Sequence, residues 1–131
     1  MRERCLLLAA CALFLTGCAA GQSGFQQAAA SAGAELAAAA TTVQYAHTGR
    51  LPVTFASASF VNYRSALQDT EQQLRTADGA PTGRRLDQLL GLYRPAWEAV
   101  QRPCLEGGCD WRAQVRALQQ ASDALVREGG G

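Results

Sequence analysis

The sequence predicts an all-α protein, folded as a small antiparallel four-helix bundle. In four stretches of the chain, apolar residues recur at alternating steps of three and four, which places them on one face of a helix. The links between these stretches are short, so consecutive helices are expected to run antiparallel. No run of alternating apolar and polar residues is long enough to predict a strand.

The first predicted helix runs from Phe25 to about Ala46 and is dominated by alanine. Alanine favours helix and lets a neighbouring helix approach closely, although it leaves little surface to bury. Low-complexity disorder is the competing interpretation of so alanine-rich a stretch. The apolar seam of this helix consists of Phe25, Ala29, Ala32, Leu36, Ala39 and Val43.

The second predicted helix begins between Thr54 and Ser59, where several hydroxyl residues are suitable N-caps. It is expected to end near Asp78 and Gly79, because a turn with Pro81 follows. The seam of this helix consists of Phe60, Tyr63, Leu67, Glu71 and Leu74.

The third predicted helix starts at Thr82 or Gly83 and extends to about Arg102. Pro95 lies inside it, and an internal proline removes one backbone hydrogen bond and crowds the preceding turn. We therefore expect a kink near residues 91–94, or a division into two shorter helices. This helix carries the richest apolar stripe of the chain, formed by Leu86, Leu89, Leu90, Tyr93, Trp97 and Val100.

The fourth predicted helix begins after Asp110, which is a favourable N-cap residue, and ends at the glycines of residues 129–131. Its seam consists of Trp111, Val115, Leu118, Ser122 and Leu125.

The N-terminal segment has the pattern of a signal peptide. Arg2 and Arg4 make the start of the chain positive, and residues 5–15 form an unbroken apolar run of eleven residues. A helix that crosses a bilayer needs about 20 apolar residues, so this run has the length of a signal-peptide core instead. An ordinary secretory signal with a chance cysteine near its end is the alternative interpretation.

The apolar run ends in Leu15-Thr16-Gly17-Cys18, which resembles the lipobox of bacterial lipoproteins: an apolar residue, two small residues and the cysteine that is lipidated. The resemblance implies that residues 1–17 are removed as a signal peptide. It further implies that Cys18 carries acyl chains such as palmitate, which hold the protein on the lipid bilayer. Residues 18–24 would then be a flexible tether, and residues 25–131 the helical domain.

The residue after the lipidated cysteine influences sorting in the family of lipoproteins, and here it is Ala19 rather than aspartate. The resemblance therefore implies the outer membrane, with the body of the protein in the periplasm. In a host with a single membrane, the same motif would place the protein on the cell surface.

The charge of the chain excludes nucleic acid as an expected partner. The chain has 12 arginines, no lysine and 11 acidic residues. Removal of the signal peptide takes away two arginines and one glutamate, so that ten of each sign remain. Nucleic-acid binding requires a clear excess of positive charge, which this neutral body lacks.

The link between the third and fourth predicted helices contains Cys104 and Cys109. Two glycines between them allow a short loop to close, and an even pair of cysteines in an oxidising compartment favours a disulfide. Such a disulfide would staple the hinge between the two helices and contribute roughly 2 kcal/mol. Free thiols and a metal pair are the alternatives, although zinc usually needs four donors and the single histidine, His47, is distant in sequence.

The sequence contains no constellation of residues that is typical of catalysis. There is one histidine, no nucleophile elbow surrounds any serine, and no Glu-x-x-His pattern indicates a metal site inside the bundle. We therefore predict no enzymatic activity, no cofactor and no metal site.

Aromatic residues cluster around the predicted hinge and alternate with arginines. Both residue types are enriched where proteins bind one another. They predict a partner-binding groove near the hinge; the alternative is that Tyr93 and Trp97 lie in the core, because they share a stripe with Leu86 and Leu90. The predicted groove residues are Leu89, Tyr93, Trp97 and Trp111.

The lipobox, the length, the helical periodicity and the single cysteine pair together resemble the overall plan of the helical pilotins of type II secretion. Pilotins are small lipoproteins that bind a helix from the C-terminal segment of a secretin and carry it to the outer membrane. The resemblance implies a non-catalytic lipoprotein that binds a protein partner by the helix-in-groove mode. The alternatives are an inhibitor or immunity lipoprotein that acts through the loop of residues 105–108, and a structural envelope lipoprotein.

Overall fold

The computed structural model describes residues 21–130, and every regular element in this range is an α-helix. Helices α2 and α3 together occupy the place of one predicted helix, so residues 21–130 contain four helical arms. The prediction of an all-α four-helix bundle is confirmed. The predicted signal peptide, residues 1–17, and the predicted lipidation site, Cys18, lie outside the described residues. The helices are α1 (Gly24–His47), α2 (Val53–Leu67), α3 (Thr70–Thr76), α4 (Gly83–Gln101) and α5 (Trp111–Glu128).

The four arms form a closed ring in which α1 packs against α5 and α2, and α4 packs against α5 and α2. Helices α1 and α5 are antiparallel. At one end of the molecule the Gln22 side chain donates a hydrogen bond to the carbonyl of Gly129, and at the other end the ring of His47 stacks on Trp111. Since α1 has 24 residues, these two ends lie about 36 Å apart.

Helix α1 begins with a capping box. The side chain of Ser23 accepts a hydrogen bond from the backbone N–H of Gln26, and the Gln26 side chain accepts one from the backbone N–H of Ser23. The backbone N–H of Phe25 also donates to the carbonyl of Asp78 at 2.9 Å. Residues 22–24, which the sequence predicts to be part of the tether, therefore contact the folded body.

The alanine seam of α1 allows a close approach of α5, as predicted. All six predicted seam residues are buried. Gly33 lies so near α5 that a Cβ atom on it would be 2.8 Å from Val126 Cγ2 and 3.2 Å from the carbonyl oxygen of Ser122. The Ser122 hydroxyl donates to the carbonyl of Gly33 at 2.7 Å, and this bond crosslinks the two backbones.

The prediction of one continuous second helix is wrong at residues 68 and 69, where α2 ends and α3 begins. The hydroxyl of Tyr93, on α4, donates a hydrogen bond of 3.0 Å to the carbonyl of Leu67. In a continuous helix, this carbonyl would accept a bond from within the helix. The break therefore coincides with a contact between distant parts of the chain.

Helix α4 continues through Pro95 and is bent, which confirms the predicted kink. The division into two helices, which was the other expectation, does not occur. Pro95 is on the exposed side of α4. There the proline ring does not disturb the core, and Gly91, whose carbonyl lacks the helical donor that Pro95 cannot supply, is exposed as well.

Candidate functional site

The structure does not bring the four predicted groove residues together on one surface. The side chains of Leu89 and Tyr93 are 5% and 1% exposed, so they belong to the core in this conformation. This placement agrees with the core alternative. Tyr93 also uses its hydroxyl internally, on the carbonyl of Leu67.

The two tryptophans are half-buried, and both pack against the core. Trp97 packs against the core, and the rotation of about 100° per helical residue turns it nearly opposite to Ala99 on α4. Trp111 stacks on the imidazole of His47, with 4.7 Å between ring centroids and 6° between planes. The role of Trp97 and Trp111 in binding a partner stays a prediction.

A groove runs along the surface between α4 and α5, and we name it the α4–α5 groove. It consists of two clefts in line, with volumes of about 370 Å³ toward the hinge and about 270 Å³ toward the end of α5. Leu89 is the one predicted groove residue that borders it. The floor of the groove is apolar and mostly made of small side chains: Leu89, Leu92, Pro95, Ala99, Ala113, Ala117 and Ala124.

Charged residues lie along the edges of the α4–α5 groove. Arg85 and Glu128 form an ion pair across one end of it. Glu98 and Arg102 line the other end. From Arg85 to Arg102 the groove is about 25 Å long. An apolar floor between charged edges is the arrangement to which an amphipathic helix is complementary.

The hinge between α4 and α5 is fixed by several independent contacts. Cys104 and Cys109 are disulfide-bonded, with 5.9 Å between their Cα atoms, as predicted. The Gln114 side chain accepts from the backbone N–H of Cys104 at 2.7 Å and donates to the carbonyl of Arg102 at 2.9 Å. Nε2 of His47 donates to the carbonyl of Cys104 at 2.7 Å, so α1 holds the hinge as well.

The tip of the hinge loop points into solvent. Leu105 is buried, whereas residues 106–109 are exposed. Gly108 has a φ of +91°, a conformation that favours glycine, and this allows the short loop to close between the cysteines. The Asp110 side chain accepts from the backbone N–H of Ala113 at 3.0 Å, which confirms Asp110 as the N-cap of α5.

Another cleft lies outside the α4–α5 groove, between α2 and the hinge loop, and has a volume of about 490 Å³. We name it the loop cleft. Arg64 lines it from α2 and Glu106 from the hinge loop. Sequence reasoning did not find this cleft. Arg64 is the only charged residue of α2, and this isolated charge is the sequence signal that could have pointed to the cleft. The residues of the loop cleft are Val53, Ser57, Phe60, Arg64, Pro103, Leu105, Glu106, Gly107 and Cys109.

Within the part of the chain that the structure describes, two titratable groups have shifted pKa values, and both have structural causes. The guanidinium of Arg94, with help from Arg75, lowers the pKa of the Glu71 carboxyl below its usual 4.5. Burial raises the pKa of the Tyr93 hydroxyl to about 12. Neither group lines the α4–α5 groove or the loop cleft.

Within residues 21–130, no group of three or more histidine, cysteine or acidic side chains is placed to hold a metal ion. In the same range, no helix is both long enough and apolar enough to cross a membrane. Comparison with protein-family models, with curated proteins and with solved structures finds no match to this chain.

Proposed function

We propose that this protein is a non-catalytic lipoprotein, anchored in the outer membrane through acylated Cys18, that holds a helix of a protein partner in the periplasm. The observation that carries the proposal is the α4–α5 groove, with its apolar floor and charged edges. The role is that of a pilotin-like secretion chaperone, which brings a secretin subunit to the outer membrane.

The dimensions and the chemistry of the groove favour a helix as its occupant. A length of about 25 Å accommodates between four and five helical turns. Small residues in the floor, such as Ala113 and Ala117, are separated by one turn and leave room for the larger side chains of a partner. Leu92 is 38% exposed and provides an apolar contact at the middle of the groove.

The position of the N-terminus favours a partner held close to the membrane. Gln22 is already bonded to the folded body, through the carbonyl of Gly129. The four residue-to-residue steps from Cys18 to Gln22 span at most about 14 Å. An anchor at Cys18 would therefore keep this end of the bundle near the bilayer, as a protein that delivers its partner to the membrane requires.

The proposal is tested by measuring the binding of a labelled peptide from the C-terminal segment of a secretin by fluorescence anisotropy. Leu92→Glu places a charge on the groove floor and is expected to weaken binding at least about tenfold, because an apolar contact is lost and a carboxylate must be desolvated. Val61→Glu is the matched control, since Val61 is an exposed apolar residue of α2 outside the groove. Equal affinity of the two variants would remove the groove from consideration.

The inhibitor or immunity role is a second candidate, and the exposed hinge-loop tip favours it. Residues 106–109 project at the end of the molecule that is distant from Gln22, and the disulfide and Gln114 hold the loop rigid. In this case Glu106→Arg would abolish inhibition of an envelope enzyme, and Leu92→Glu would not. The same two variants therefore discriminate the two functions.

A further inference from the structure

We propose that the exposed surface of α1 and α2 is a docking surface for a second copy of this chain, and we name it the α1–α2 face. The two helices lie side by side, and the hydroxyls of Thr42 and Tyr63 join them by a hydrogen bond of 2.9 Å. The surface goes beyond the proposed function, because it is separate from the α4–α5 groove and does not require an anchor at Cys18. The exposed residues that define the α1–α2 face are Ser31, Ala38, Tyr45, Phe55, Asn62 and Ala66.

The α1–α2 face carries no exposed charge. In residues 24–47 and 53–67, all of which the structure describes, no exposed side chain is an arginine or an acid. These two helices contain Glu35 and Arg64, both half-buried, whereas α4 and α5, of nearly the same total length, contain ten charged residues. The centres of protein–protein interfaces are depleted of charged residues. The composition of this face is therefore typical of an interface.

The lack of charge favours a second copy over a charged partner. A partner that presents charged side chains would have to desolvate them against groups that cannot pair with them. Two copies of the α1–α2 face meet without this cost, because each contributes hydroxyl, amide and apolar side chains. A pair related by a two-fold axis uses the same surface on both copies, and this is the commonest symmetry of oligomers.

Two exposed aromatic side chains lie at the same end of the α1–α2 face. Because α1 ends at His47 and α2 begins at Val53, Tyr45 and Phe55 are each about 3 Å from the connected ends of their helices. Tyr45 is 39% exposed and Phe55 is 66% exposed. When the two-fold axis runs along the bundle, α1 of one copy lies against α2 of the other, and Tyr45 is level with Phe55 of the second copy. This arrangement also places both N-terminal ends on the same side, as attachment to one membrane requires.

The size of the α1–α2 face is at the lower limit for a specific interface. With 24 and 15 residues, α1 and α2 are about 36 and 22 Å long. Since neighbouring helices lie about 8–10 Å apart, the face covers about 500 Å² on each copy. The pair would bury about 1,000 Å², which is close to the minimum for a biological interface. A dimer of this size is expected to dissociate on dilution, so crosslinking is a suitable way to detect it.

The test uses the full-length protein in bacterial membranes and a short bis-maleimide, which joins two thiols. Ala38→Cys places a thiol on each α1–α2 face, and Gln119→Cys places one on the exposed side of α5 as the matched control. Ala38→Cys is expected to give at least about tenfold more of a product of twice the chain mass, because only this thiol lies near its symmetry mate. The protein without an added cysteine is the blank, and it reports any free thiol at Cys18.

Three further substitutions in the Ala38→Cys protein assign the product to the α1–α2 face. Phe55→Glu is expected to lower the yield at least about fivefold, because a carboxylate would be desolvated in the dimer. Glu35→Gln should raise the yield about two- to threefold, because residues at the same height approach each other and the two carboxylates repel. Leu92→Glu, in the α4–α5 groove, should leave the yield unchanged.

Equal yields from the Ala38→Cys and Gln119→Cys proteins, a product of a mass other than twice that of the chain, or a yield that Phe55→Glu does not change would overturn the proposal. Circular dichroism of each variant verifies that it is folded. Failure of the dimer would leave the helix-binding proposal untouched, since peptide binding to the α4–α5 groove is measured separately.

Discussion

Helix α1 packs against α5, and α2 packs against the hinge loop. The two contacts differ in how completely the space between the elements is filled. Along α1 and α5, glycine and alanine let the backbones come close, and the hydroxyl of Ser122 bonds directly to the carbonyl of Gly33. Beside α2, a large side chain, Phe60, is buried, but the space between the helix and the loop stays open as the loop cleft.

The α1–α5 contact is closely packed, whereas the space beside α2 is left open at the surface. In the α1–α5 contact there is no room for an added methyl group, so substitutions there are expected to affect folding. In the α4–α5 groove and at the hinge-loop tip, side chains such as Leu92 and Glu106 are exposed, so substitutions of these side chains are expected to affect binding and to leave folding nearly unchanged.

The largest effect on stability is expected from Gly33→Val. The added atoms would meet Val126 and the backbone of Ser122, and overpacking of this kind destabilises by about 1–3 kcal/mol. The matched control is Gly91→Val on α4, where a Cβ atom has no neighbour within 4 Å. This control should be neutral or more stable by a few tenths of a kcal/mol, since valine has the higher helix propensity. Urea unfolding of the two variants measures the difference.

A similar loss of stability in both variants would contradict this prediction. It would show that glycine at these positions matters through the backbone and not through the close approach of α5.

An intermediate effect is expected from Tyr93→Phe. The variant leaves the carbonyl of Leu67 without its donor, which costs about 1 kcal/mol. In addition, burial raises the pKa of Tyr93 to about 12, so between pH 10 and 12 the folded state keeps a proton that the unfolded state loses. The stability of the wild type should therefore fall as the pH rises through this range.

The measurement is urea unfolding at pH 8, 10 and 11 for both proteins. The gap in stability should be largest at pH 8 and should narrow toward pH 11. A gap that is independent of pH would mean that Tyr93 ionises as easily in the folded protein as in the unfolded chain.

The smallest effect is expected at Glu71, whose carboxylate pairs with Arg94 and Arg75 on the surface. Because its pKa is lowered, the stabilisation is present above pH 4.5 and is lost as the pH falls below this value. The pair is partly exposed, so Glu71→Gln should cost only a few tenths of a kcal/mol at pH 7. Thermal unfolding should show a larger difference between the two proteins at pH 7 than at pH 3.

Asp87→Asn is the control for this pH dependence, since Asp87 is exposed and has no ion pair among the described residues. A pH dependence of equal size in the two variants would contradict a specific role of the Glu71 pairs.

The sequence predicted well what depends on local periodicity. The seam of α1, the N-cap Asp110 and the bend at Pro95 each follow from residues within a few positions of one another, and the structure has all three. The capping box of Ser23 and Gln26 has an equally local signature, a serine followed three residues later by glutamine. The lipobox interpretation places this stretch in the tether, although the capping-box signature is present in the sequence.

The features that escaped prediction depend on contacts between distant residues. The break after Leu67 involves Tyr93, 26 residues further along, and the crosslink of Gly33 with Ser122 spans 89 positions. Helical periodicity predicts that Tyr93 faces inward, but it does not predict which carbonyl accepts a hydrogen bond from the Tyr93 hydroxyl. For the same reason the α4–α5 groove and the loop cleft were not foreseen, because each is a space between elements that are brought together only by folding.

The proposed membrane anchoring depends most directly on the chemical state of residue 18 in the protein isolated from its native envelope. Intact-mass and peptide mass spectrometry should show a chain that begins at Cys18, with a diacylglyceryl thioether on the sulfur and an acyl group on the amine. A free thiol at Cys18, or a chain that still contains residues 1–17, would contradict membrane anchoring and with it the proposed delivery of a partner to the outer membrane.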